Sequence, residues 1–160
     1  MNRTLRVIVF SLCILGLAAW AADDPQTGTW KLNVAKSKFS PGPPPKSQMA
    51  TVVPYGKDGL KLTVEVLNAN GEKLNIQYSA NFDGKQYPRT ETGAGAVSGQ
   101  TVTLAHIDAQ TVERIAYLAG KKLVTERWVI SKDGKTRTVT QTGANAQGQP
   151  VNTVLVYEKQ

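Results

Sequence analysis

A strict two-residue alternation of apolar and polar side chains is the feature that most narrows the folds open to this chain. Leu60, Leu62, Val64 and Val66 alternate with Lys61, Thr63 and Glu65. Leu74, Ile76, Tyr78, Ala80 and Phe82 alternate with Asn75, Gln77, Ser79 and Asn81 in the same way. Successive side chains of an extended strand point to opposite sides, so each run has one apolar face and one wet face. Asn68-Ala69-Asn70-Gly71 lies between the two runs, and its Asn-Gly supplies the positive φ of a hairpin turn. Further strands are expected at 30–34, 101–107, 110–118, 123–131, 136–142 and 151–157. The turns between them are marked by Lys57-Asp58-Gly59, Phe82-Asp83-Gly84-Lys85, Asp108-Ala109, Ala119-Gly120-Lys121-Lys122 and Asp133-Gly134, with a longer loop at 143–150. Beyond residue 21 no apolar 3.6-residue period is sustained for about eleven residues, the length a helix would need. The chain is therefore expected to be all-β, an antiparallel up-and-down meander of about eight to ten strands, closed as a barrel that leaves no edge open.

The first 21 residues follow a different rule. Arg3 and Arg6 precede an apolar run at 7–20, and Ala19-Trp20-Ala21 has the small-x-small form of a signal-peptidase site. Asp23-Asp24-Pro25 then breaks the run. The run is shorter than the roughly 20 apolar residues that span a bilayer. Cys13 lies inside it and not directly after it, which argues against a lipid-modified start. The reading is a signal peptide over 1–21, cleaved after Ala21, leaving a single domain at 22–160 that is periplasmic or secreted and has no stable membrane anchor. Cys13 is the only cysteine, so cleavage removes thiol catalysis, cysteine metal sites and disulfides together. The exported domain must then stand on its apolar core.

The charge does not point to nucleic acid. The chain carries +7, and the loss of Arg3 and Arg6 brings this to +5. The positive residues are scattered, with Lys121-Lys122 the one adjacent pair, whereas nucleic-acid binders gather theirs on one face among aromatics. Ser40-Pro41-Gly42-Pro43-Pro44-Pro45 is expected to be a rigid extended loop, since proline fixes φ and donates no hydrogen bond. Gly93, Gly95 and Gly99 do not have the spacing of a phosphate-binding loop, and 92–100 reads as a flexible connection. Thr136, Thr138, Thr140 and Thr142 form a file at period two, which suits a solvent-facing strand surface.

Gly28-Thr29-Trp30 at the head of the first strand resembles the Gly-x-Trp signature of the lipocalins and other calycins. The resemblance implies a closed barrel with Trp30 plugging one end. The chain is shorter than true lipocalins and lacks their second signature. A broader resemblance is carried by Lys31-Leu32-Asn33, Lys36-Ser37-Lys38-Phe39, Pro41-Gly42-Pro43, Asp133-Gly134-Lys135-Thr136 and Val156-Tyr157-Glu158-Lys159. These look like small exported bacterial proteins of uncharacterised function, which implies export and a lipocalin-like barrel but no activity.

Catalytic constellations are sparse. His106 is the one histidine, with no His-x-His or His-Glu-x-x-His around it, and a metal site commonly takes three or four ligands. No Gly-x-Ser-x-Gly elbow is present. No enzyme activity, metal or cofactor is expected. The informative cluster lies at 110–131, where the alternation admits charge. Arg114 shares a face with Val112, Ala116 and Leu118, and Glu126 with Val124, Trp128 and Ile130. A buried charge costs several kcal/mol unless it is paired. Such charges form either an internal salt bridge or the polar floor of a ligand cavity. On face assignment, Tyr78, His106, Arg114 and Glu126 are expected to converge inside the barrel, where an arginine favours a carboxylate. The first functional expectation is thus a barrel that binds a small apolar or amphipathic, carboxylate-bearing molecule. The alternative is a non-catalytic envelope or interaction protein with a filled barrel, and a third is a barrel enzyme using His106.

Overall fold

The computed structural model describes residues 24–160. Ten antiparallel strands follow one another: β1 (Gly28–Leu32), β2 (Ser47–Pro54), β3 (Gly59–Leu67), β4 (Lys73–Asn81), β5 (Tyr87–Gly93), β6 (Gln100–Asp108), β7 (Thr111–Leu118), β8 (Lys121–Ile130), β9 (Thr136–Ala144) and β10 (Pro150–Lys159). Each pairs with its neighbours in sequence, and β1 pairs with β10, so the meander closes as a barrel. Among the described residues the one helical piece is a 3₁₀ turn, Val34–Lys36. Residues 1–21, read above as a signal peptide, lie outside the described residues.

The period-two runs do what their pattern demands. Leu60, Leu62 and Val64 of β3 and Tyr78 and Ala80 of β4 are buried inside, while Lys61, Glu65 and Gln77 face water. The threonine file of β9 lies on the outer face, opposite Arg137, Val139 and Gln141. The ten strands fall within the expected eight to ten, and two of them, β2 and β5, lie where the pattern marked no strand. β2 carries Gln48, Ala50 and Val52 inward but also presents Met49 and Val53 outward, so its apolar residues do not alternate. β5 sends Tyr87, Arg89 and Glu91 toward the interior, a face with too little apolar character to register as a strand. The turn after β3 also differs in detail. It spans 68–72 and is closed by the Asn68 side chain, whose Oδ1 accepts from the backbone N–H groups of Asn70 (3.0 Å) and Glu72 (2.9 Å). Only Gly71 there has positive φ.

The barrel has a filled end and a hollow end. At the filled end Trp30 is completely buried, and its indole N–H donates to the Gln26 carbonyl at 2.9 Å. Leu60, Val102, Leu104 and Val112 pack in the same core. Gly28 explains the first position of the Gly-x-Trp signature. Its φ of +133° is one that side-chain-bearing residues rarely adopt, and Lys159 reaches past it to set its ammonium 5.2 Å from the Trp30 ring centre. At the hollow end stand the turn at 68–72, the connection at 94–99, the β9–β10 loop and the proline-rich residues 41–45. Ser40 anchors that loop, since its carbonyl accepts from Thr153 Oγ1 (2.9 Å) and Asn152 N (3.0 Å) of β10.

Candidate interior ligand site

Three of the four residues expected to converge do so, on adjacent faces of the interior. Arg114 of β7 lies directly across from Glu126 of β8, and Glu126 directly across from Gln141 of β9. This register lets the guanidinium fork engage both carboxylate oxygens: Nε donates to Oε2 at 2.9 Å and Nη2 donates to Oε1. Trp128, two residues along the same face, donates its indole N–H to Oε2 at 2.8 Å, and Gln141 Nε2 donates to Oε1 at 2.6 Å. Tyr78 of β4 brings its ring to 5.8 Å from the Arg114 guanidinium carbon. Its hydroxyl is buried with no hydrogen-bond partner among the described residues.

The two alternatives for this charge are one structure, because the internal salt bridge is itself part of a cavity wall. Burial alone would push the Glu126 carboxyl up. The Arg114 charge and the hydrogen bonds from Arg114 and Trp128 outweigh it and hold the group below the usual carboxylate range. Arg114 is driven up by the same partnership against its own burial. Burial raises the Tyr78 phenol, so it stays neutral.

His106 does not join them. It has the parity of Val102 and Leu104 and lies across from the buried Val112 of β7, but β5 pairs with β6 only at Thr101 and Val102, so no β5 residue pairs with His106 on that side. A bulge falls between His106 and Asp108, and the imidazole lies exposed at the filled end, stacked on Phe82 with ring centres 3.7 Å apart. The expectation that His106 points into the interior is corrected on this ground. Among the described residues no group of three His, Cys, Asp or Glu side chains is placed to hold a metal ion.

The interior holds further charge that the sequence reading passed over. Arg89 pairs with Glu91 two residues along β5, and its Nη1 donates to Gln100 Oε1 at 3.0 Å. Glu91 in turn accepts from the Val97 N–H at 2.8 Å, tying the 94–99 connection to the strand. Arg137 of β9 is 2% exposed, with Trp30, Trp128 and Tyr157 rings centred 5.0, 5.2 and 4.9 Å from its guanidinium carbon. A usable signal existed for Arg137. Once the threonine file is assigned outward, parity sends Arg137 inward. For Arg89 the signal was weaker, a lone Arg-x-Glu on one strand face.

Above the filled end a chamber of about 100 Å³ opens between Arg114, Glu126 and Arg137 on one side and Ala50, Leu62 and Val64 on another. It shares Ile76, Arg89 and Gln141 with a mouth of about 290 Å³ toward the hollow end, where Leu74, Val97, Leu123, Val124 and Val151 add apolar surface. A second space of about 560 Å³ lies beneath the proline-rich loop and meets the chamber at Gln48, Ile76 and Leu155. The site is a polar floor at the bottom of an apolar-walled shaft. No protein-family model and no curated protein matches this sequence.

Proposed function

We propose that this is an exported, lipocalin-like, non-catalytic barrel that takes up a small amphipathic molecule through its hollow end. The observation that carries the reading is the interior polar floor, built from Arg89, Arg114 and Glu126 with Tyr78 packed behind Arg114, beneath an apolar-walled mouth. Binding pockets have this form: mostly apolar walls with a few fixed polar groups, and volumes from about 300 Å³ upward when the connected spaces are taken together. Stability alone does not call for a buried charge there, since replacing a buried ion pair by apolar residues is often neutral or favourable. A ten-strand barrel is wide enough to fill one end with side chains and leave room for a ligand at the other. Export rests on residues 1–21, and absence of catalysis on the isolation of His106 from the interior polar groups.

One preparation tests both parts. Native mass spectrometry of the protein recovered from the exported fraction is expected to show a chain beginning at Ala22 with a bound small molecule. After ligand removal, a neutral fluorescent lipid probe should bind the wild type, and Ile76→Trp, which fills the neck of the shaft, should weaken that binding about tenfold or more. No co-purified mass and no probe uptake by the wild type would leave the filled-barrel interaction protein as the better reading.

A further inference from the structure

We propose that Arg137, and not Arg114, receives the ligand's acid group, and that this group is a single carboxylate at the end of a slender apolar chain. The inference rests on the cavity reading above and adds the chemistry of the ligand's head. It begins with charge inside the barrel. Among the described residues, three guanidinium groups, Arg89, Arg114 and Arg137, face the interior, but only two carboxylates, Glu91 and Glu126, answer them. Arg114 is spent: its fork is closed on Glu126, and Glu126 is further fixed by Trp128 and Gln141. Arg89 has Glu91 and Gln100.

Arg137 has no such partner. It is 2% exposed, and its Nε and Nη1 are buried without an acceptor among the described residues. The three aromatic rings around it offer π faces, which attract a cation but accept no N–H in the way a lone pair does. An arginine left this way is costly unless something completes its hydrogen bonds. Arg137 also lines the chamber, so an incoming group can reach it.

The chamber chooses among anions by charge and size. One uncompensated positive charge is neutralised by one negative charge. A phosphate dianion would instead leave a negative excess beside Glu126. The chamber's roughly 100 Å³ compares with the 10–15 Å³ that one water needs, which leaves room for a carboxylate and its first methylenes. Beyond it the methylene chain meets Ile76, Leu123, Val124 and Val151 on the way out.

The test uses three ligands of equal chain length, decanoate, decan-1-ol and decyl phosphate, titrated into the purified, delipidated protein. The wild type should prefer decanoate to decan-1-ol by about tenfold or more, the gain expected from charge-assisted hydrogen bonds, and should bind decyl phosphate less well than decanoate. Arg137→Met should abolish the preference for decanoate while leaving decan-1-ol binding in place. Should that variant fail to fold, isotope-filtered NMR on the wild type answers the same question. The C2 protons of decanoate are expected to contact the rings of Trp30, Trp128 or Tyr157. C2 contacts confined to Leu123 and Val151 would place the acid at the mouth and overturn the proposal. So would equal binding of acid and alcohol, a preference for the phosphate, or a decanoate preference that survives Arg137→Met. Each of these leaves the cavity reading standing, whereas failure of the wild type to bind any of the three removes it.

Discussion

Glu126 shows how much one side chain is asked to hold. It accepts from Arg114, Trp128 and Gln141, three residues on three strands counting its own. Removing its charge leaves Arg114 buried and uncompensated, which typically costs about 3–5 kcal/mol. Glu126→Gln should therefore lower the denaturant midpoint sharply. Arg114→Met added to it should recover part of the loss, since no charge then remains buried alone. The pH dependence has a definite sign. The folded Glu126 carboxyl titrates below its unfolded value, so its stabilisation is present above the unfolded pKa of about 4.3 and is lost as pH falls through the folded one. Asp83, Asp108, Asp133 and Glu158 are lowered as well, by hydrogen bonds at the exposed surface. Acid titration of stability should accordingly be shallower in Glu126→Gln than in the wild type. An identical acid limb in both would mean that the buried pair does not contribute to it.

The strands are not equally tied. β9 and β10 register over their whole length, from Pro150↔Ala144 to Glu158↔Thr136. β5 and β6 register only at Tyr87↔Val102 and Pro88↔Thr101, and Pro88 has no N–H to give. Past that point the strands part, and the Arg89 side chain bridges to Gln100 across the gap. The reason lies in the sequence of β5, whose inward residues are a charge pair in place of an apolar stripe. Fewer ladder hydrogen bonds and a charged inner face in place of an apolar one make this seam the easiest part of the barrel to open. Native-state hydrogen exchange should show the amides that face the β5–β6 seam exchanging well ahead of those between β9 and β10. Uniform protection around the barrel would contradict this. Gly143 marks the opposite case, a tight crossing of β9 on β8. It has φ +132°, and a Cβ there would stand 2.1 Å from the Leu123 carbonyl oxygen.

At the scale of the whole molecule, one end of the barrel supplies stability and the other leaves space. Trp30 is the plug of the filled end, covered by Lys159, held by Gln26 and stacked near Arg137. Trp30→Ala would remove its burial and open a void, for which about 3–5 kcal/mol is typical. Urea melts should register a loss of that size. A change under about 1 kcal/mol would place Trp30 among ordinary surface positions and take away the physical basis of the Gly-x-Trp comparison. The hollow end is ordered without a core of its own, by Ser40 on Thr153 and by Glu91 on the 94–99 connection.

Period two determined much of this protein before any tertiary contact was considered. It placed Leu60–Val66 and Leu74–Phe82 as neighbouring strands, and it put Tyr78, Arg114 and Glu126 on inward faces. It also carried the all-β antiparallel meander, because alternation and turn chemistry are local and survive in any register. Tertiary structure alone decided the rest. β5 was hidden because a strand whose inner face is Arg89 and Glu91 has no apolar signal to read, and its charges are tolerable only once paired inside the barrel. His106 has the parity of a core residue, but parity gives the side of a strand and not whether the neighbouring strand, here β5, reaches far enough to cover it. The pairing of Arg114 with Glu126, and the lack of any carboxylate for Arg137, depend on strand register and barrel closure, which bring together residues that the sequence keeps apart.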